Sequence, residues 1–255
     1  MSFSVKAIAL FLIALAISLV VTVPARWVLQ YATLPAELSI SAVTGTLWRG
    51  QADTVRWRNL PEVAVQWKLK PTSLLLGRLG INVTATRTGL RLAGDLIVYR
   101  DQTLSATDVT FDGELATLPI APEAMLIAPE GQIKARFDSL LWEHERIETL
   151  SGIVLWDPAR IAAPVRYELG ELALKLTGAT GKITGQLSSA NGPIDAVGTL
   201  DLDPQGVLKT DIRLNPKPET PREIRDLLPM LGRSNADGSI TMRQTIPLVG
   251  LAIHR

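Results

Sequence analysis

The stretch Glu62-Val-Ala-Val-Gln-Trp-Lys-Leu-Lys70 decides the fold class. Val63, Val65, Trp67 and Leu69 alternate with Ala64, Gln66, Lys68 and Lys70. A period of two turns one set of side chains to a core and the other to water, so the stretch predicts a half-buried strand. Outward from it the same alternation returns at Ile81/Val83/Ala85, Leu90/Leu92, Leu96/Val98, Val109/Phe111, Ile133/Ala135/Phe137, Leu172/Leu174/Leu176, Ile183/Leu187, Leu200/Leu202, Ile212/Leu214 and Ile240/Met242. Turn-formers are expected to separate these strands: Gly77, Gly80, Gly89, Gly94, Gly113, Gly131, Gly178, Gly181, Gly185, Asn191-Gly192, Pro204-Gln-Gly206 and Asp237-Gly238. Many short strands at this spacing predict a mainly β protein of antiparallel, curved or sandwich-like sheets.

One segment departs from the pattern. Thr220-Pro-Arg-Glu223 has the spacing of a capping box, with proline at the first helical position. Ile224, Leu227, Leu228 and Leu231 then recur at helical spacing up to Gly232, which predicts a short amphipathic helix laid on the sheet. The proline-rich run before it, Asn215-Pro-Lys-Pro-Glu-Thr-Pro221, reads as a connector. A weak internal duplication runs through the strands. Gly45-Thr-Leu-Trp48, Trp57 and Trp67-Lys-Leu-Lys-Pro71 are echoed by Gly131-Gln-Ile, Trp142 and Trp156-Asp-Pro158.

The start of the chain has a different character. Residues 7–25 carry no charge and are almost wholly apolar. At ~1.5 Å per residue such a run approaches the ~30 Å hydrocarbon core of a bilayer. Lys6 precedes it, while Trp27 and Tyr31 follow as amphipathic aromatics suited to the far interface. This predicts a transmembrane anchor with the N-terminus inside and the rest outside. A cleaved signal peptide is the alternative, and it exports the same residues. The expected organisation is a cytoplasmic N-terminus at 1–6, an anchor at 7–25 and a juxtamembrane segment at 26–36. A first β unit at 37–125 and a second at 126–215 follow, then a connector, short helix and terminal strand at 216–255.

Charge and composition exclude several functions. With 26 Lys+Arg against 25 Asp+Glu, the net charge of +1 offers no broad field for nucleic acid, and no such partner is expected. The absence of cysteine removes disulfides, thiolate metal sites and a cysteine nucleophile. Both histidines are poorly placed for catalysis or metal binding. His144 sits between Glu143 and Glu145, where neighbours on a strand point to opposite faces, and His254 is the penultimate residue. Asp108, Asp112 and Glu114 share the polar face of one strand. A glycosidase pair needs one carboxyl in an apolar site, and nothing marks one here. No catalytic residue, metal or cofactor is expected, and the chain is not read as an enzyme.

The tryptophans carry more information. Trp48, Trp57, Trp67, Trp142 and Trp156 lie in or beside predicted strands, where each can anchor a sheet. Trp67, alternating with valines, reads as core. Trp48 and Arg49, at a turn, are the candidate partner-contact residues.

Several of these features together resemble the type II secretion system protein N family. They are the N-terminal anchor, Ser41-Ala-Val-Thr-Gly45-Thr-Leu-Trp48-Arg-Gly-Gln-Ala52, the strand end Trp67–Pro71, Gly152-Ile-Val-Leu-Trp156 and Leu231-Gly-Arg-Ser-Asn-Ala-Asp-Gly238. The resemblance implies an accessory inner-membrane component of the machine that moves folded proteins across the outer membrane of Gram-negative bacteria. It implies other secretion subunits of the inner-membrane platform as partners, and a body in the periplasm. A different class is a lipid-handling protein of the envelope. A continuous apolar trough on a sheet would favour lipid, and a closed core with a polar exterior would favour a scaffold. An envelope hydrolase, a third class, would need two converging titratable groups in a pocket.

Overall fold

The computed structural model describes residues 18, 22–31, 36–58, 60–118, 128–144, 146–163 and 166–247. The expected anchor falls almost wholly outside them. Among the described residues no helix is long and apolar enough to cross a membrane. Contacts group the chain into two units, Met1–Arg87 and Thr88–Arg255.

The first unit is a four-stranded antiparallel meander. A short helix α1 (Ala25–Tyr31) precedes β1 (Leu38–Gly45), β2 (Arg49–Trp57) and β3 (Val63–Lys70). A one-turn helix α2 (Pro71–Leu75) then leads into β4 (Leu79–Arg87). The order is β1-β2-β3-β4. Strand β3 is the quoted stretch, and its alternation is realised. Leu69 is buried and Val63, Val65 and Trp67 are half-buried, whereas Gln66, Lys68 and Lys70 are exposed.

The second unit contains β5 (Leu90–Val98), β6 (Leu104–Glu114), β7 (Ala128–Glu130), β8 (Gln132–Glu143) and β9 (Arg146–Ala163). It continues with β10 (Tyr167–Ala179), β11 (Lys182–Ala190), β12 (Ile194–Leu202) and β13 (Val207–Pro216). Helix α3 (Arg222–Leu227), β14 (Arg233–Ser234) and β15 (Ile240–Pro247) complete it. Its order is β5-β6-β8-β9-β10-β11-β12-β13-β15-β14, with β7 paired to β9. Within the unit the pairings are antiparallel.

The antiparallel reading holds, but among the described residues neither unit forms a sandwich. Strands pair with their nearest chain neighbours apart from the short β7 and β14, which are passed over, and among the described residues no crossover builds a second layer. The β10–β11 hairpin shows how. Thr180 and Gly181 have φ of 52° and 76°, the twist-matched two-residue turn, and Ala179 closes it opposite Lys182.

Two further expectations change. Gly80, Gly94, Gly113, Gly178 and Gly185 do not separate strands but lie inside β4, β5, β6, β10 and β11. A side chain at Gly185 would press on Leu174, Leu176 and Leu200, and one at Gly94 on Val109, so glycine makes room for large neighbours. The strands are correspondingly longer than the alternating runs suggested. The capping box is also not made. Pro221 takes the cap position with no side-chain bond, and the Thr220 hydroxyl donates to the Pro193 carbonyl at 2.6 Å instead. Helix α3 ends at Leu227 and a tighter turn, Leu228–Met230, carries Pro229. Its apolar face does lie on the sheet. Ile224 and Leu228 join Ile194 and Ile240 in a buried cluster, with Tyr167, Leu169, Leu214 and Leu231 packed around it.

Candidate functional site

In the first unit, the β1–β2 turn ties the N-terminal segment to the sheet. The Leu47 amide donates to the Val23 carbonyl at 2.9 Å, and Pro24 bridges to Thr46. The Leu47 carbonyl accepts the Trp67 indole N–H at 3.1 Å, so Leu47 is held from both sides. Next to it the Trp48 carbonyl accepts from the Leu69 amide at 2.8 Å. Trp48 is half-buried and Arg49 exposed. Gly50 is needed beside them, because a Cβ there would collide with the Trp67 ring. The second unit repeats this local device in β9, where the Trp156 indole donates to the Glu130 carbonyl at 2.9 Å, beside Gly131.

Arg49 lies directly opposite Lys68 across the β2–β3 pair, and Gln51 opposite Gln66. With Asn82 and Thr84 of β4 they line an open cleft of about 450 Å³ on the polar face. Its lining of amides, hydroxyls and two cations can hold an anionic or hydrogen-bonding surface but contains no nucleophile–base pair.

The second unit has a sharply two-sided sheet. Following the register across nine strands, one row reads Leu92, Phe111, Ala135, Val154, Leu174, Leu187, Gly198, Ile212, Met242. The adjacent row, on the opposite face, reads Ala93, Thr110, Arg136, Ile153, Lys175, Gln186, Thr199, Asp211, Arg243. At ~4.8 Å per strand the apolar row is about 40 Å long. Leu92 is 39% exposed, and Phe111, Val154, Leu174, Leu187, Ile212 and Met242 are half-buried. Among the described residues, only α3 and the turn after it pack as a layer on this face, at the Ile194–Ile240 end.

The titratable groups examined from sequence do not converge. Asp108, Asp112 and Glu114 are exposed along β6, with Asp112 accepting from the Gln132 side chain at 2.7 Å. His144 sits at the β8–β9 turn with φ 50°, its side chain 78% exposed and 3.5 Å from Glu143. Glu145 and His254 lie outside the described residues. The perturbed carboxyls have local causes. Thr103 hydrogen bonds hold Asp101 below the usual range. Hydrogen bonds from Ser239, then the Arg213 guanidinium, do the same for Asp237.

Against this architecture the comparisons are informative. The family model for type II secretion system (T2SS) protein N matches residues 36–243, which is nearly the whole β body. The chain belongs to this family. Relatives named type II secretion system protein N include one from Aeromonas hydrophila, 27% identical over 92% of this chain and 95% of its own length. One from Vibrio cholerae serotype O1 is 24% identical over the same shares. One from Pectobacterium carotovorum subsp. carotovorum is 25% identical over 86% and 87%. No solved structure matches the chain.

The chain is thus a secretion-system component, and the motifs that carried the resemblance acquire structural roles. The Gly45–Gly50 segment is the turn that clamps Leu47. The 231–238 motif builds the β14–β15 hairpin around Ser239, which is 2% exposed. Ser239 Oγ donates to Asp237 at 2.6 Å and accepts from Asn235 Nδ2 at 2.9 Å and Arg213 Nε at 3.0 Å. Arg213 also pairs with Asp237. Sequence reasoning passed over the exposed leucines of α2, Leu74 and Leu75, and Leu76 just beyond. Their signal is a triple leucine between Lys70 and Arg78 in a segment with no strand periodicity.

Proposed function

We propose that this chain is an accessory inner-membrane component of the type II secretion system, held by one N-terminal helix at residues 7–25 with its β body in the periplasm. It supports export of folded proteins across the outer membrane through contacts with other subunits of the inner-membrane platform. The observation that carries this reading is the family match across residues 36–243, together with an apolar run directly before the matched body. Trp48 and Arg49 are the proposed contact residues. They stand where the N-terminal segment joins the sheet, so a subunit held in the same membrane is within reach. A photo-crosslinking residue placed at Arg49 in intact membranes tests this. Recovery of secretion subunits is expected, and recovery of lipid alone or of no subunit contradicts it.

One observation favours a second reading, a lipid-handling role. The apolar row of the second unit lacks a second layer among the described residues, as a trough for acyl chains requires. An extended peptide on that face would leave its own N–H and C=O groups without partners, whereas an acyl chain has none to satisfy. Mass spectrometry of the purified full chain should then find bound acyl lipid, reduced by Leu174→Asn with Leu187→Asn. Equal lipid in both proteins contradicts the second reading.

A further inference from the structure

We propose that the end of the first unit formed by Val23, the β1–β2 turn and α2 rests on the surface of the bilayer that holds the N-terminal apolar run. Leu74, Leu75 and Leu76 enter the headgroup boundary, and nearby cations meet anionic headgroups. The proposal rests on the anchor reading given above.

Position comes first. The apolar run ends at Val23, and Val23 is hydrogen-bonded to Leu47 in the β1–β2 turn. In an antiparallel meander the turn after β1 and the connection after β3 lie at the same end, and Arg49 opposite Lys68 confirms the register. Helix α2 therefore sits at the end of the sheet from which the chain runs back toward the membrane.

Exposure comes second. Leu75 is 88% exposed, Leu76 68%, Leu74 44% and Trp27, one turn after Pro24, 58%. The seating of α2 explains why: Ser73 is its buried residue, packed beside Gly80, which turns the leucines outward. Three consecutive exposed leucines mark an interaction surface rather than ordinary surface composition.

Charge comes third. Arg26, Arg49, Lys68, Lys70 and Arg78 belong to this end, and Arg49 faces Lys68 directly, an arrangement that like-charge repulsion disfavours. The acidic residues among the described part of the unit are Glu37, Asp53 and Glu62. Glu37 and Glu62 pair with Arg58 and Arg56 at the opposite end, and Asp53 lies midway along β2. Anionic headgroups carry the opposite charge, each basic residue near such a surface adding to the attraction. Exposed leucines at the same end of the sheet as these cations, on a chain that continues into an apolar segment, fit a bilayer surface.

The chain has no cysteine, so a single introduced cysteine takes one label. The test uses the full chain carrying Leu75→Cys with an environment-sensitive fluorophore, in vesicles of phosphatidylethanolamine and phosphatidylglycerol. Thr86→Cys, exposed at the far end of β4, is the comparison. Flotation reports the anchor, and quenching by lipids with nitroxide-labelled acyl chains reports the patch. The expected result is a floating protein with a blue shift and loss of most of the signal at position 75, and neither at 86. A chain that floats while the label at 75 remains in water overturns this proposal alone and points to protein cover. A chain that does not float overturns the anchor, and this proposal with it.

Discussion

Leu47 is the residue on which the first unit's end depends. Its amide and carbonyl are both used, one by the N-terminal segment and one by the Trp67 indole. Trp67→Phe keeps an aromatic six-membered ring but removes the pyrrole ring with its N–H, so at least about 1 kcal/mol of stability should be lost, read as a lower denaturant midpoint. An unchanged midpoint means the bond contributes nothing. Asp237 offers a pH test. A carboxyl held below its unfolded value near 3.9 adds stability that is complete above that pH and is lost as pH falls through the folded pKa. Asp237→Asn should therefore be less stable than the parent at neutral pH, with the gap closing below about pH 4. A gap that persists in acid contradicts the role of the charge. Residue-level reading from sequence reached Trp67 as a packing residue because it alternates with valines. It could not see the indole bond, whose acceptor lies 20 positions away in a turn. Nor could it see Leu74–Leu76, since a leucine run in a connection reads the same whether it turns in or out.

At the scale of elements, alternation placed a strand at each of the apolar runs, because side chains on a two-sided sheet must obey a period of two. It misjudged where strands end. Glycine in a sequence signals a turn as readily as a pleat position crowded by a neighbour's leucine or valine, and Gly185 and Gly94 are the latter. The C-terminal helix was legible from Ile224, Leu227 and Leu228, but its cap was not. A capping box would have the Thr220 hydroxyl accept a backbone N–H of the first turn, but the hydroxyl instead donates to the Pro193 carbonyl. This yields a paired prediction from thermal melts. Thr220→Val should cost about 1 kcal/mol, because the buried hydroxyl bond is lost. Glu223→Ala, exposed and making no cap, should stay within about 0.5 kcal/mol. The reverse order restores the capping box.

For the whole molecule, the number of layers was not legible. A period of two states that one face of each strand is apolar but not what covers it, and a sandwich and a single sheet share that pattern. The register of the second unit shows one apolar row and one mainly polar row over nine strands, with only α3 and the turn after it packed as a layer on the apolar face among the described residues. The family, by contrast, was legible, because its motifs sit at the turn around Leu47 and at the hairpin around Ser239, which are local and short. Membership makes this chain a secretion-system protein. The proposed tether gives that membership a mechanism, in which residues 7–25 keep a β body and its Trp48–Arg49 turn beside their partners. The most direct measurement replaces residues 1–25 with a cleavable signal and follows type II substrates reaching the medium. The account predicts that the untethered protein accumulates in the periplasm and secretion falls toward the level of a strain lacking it. Secretion at the full level would contradict the account at its centre.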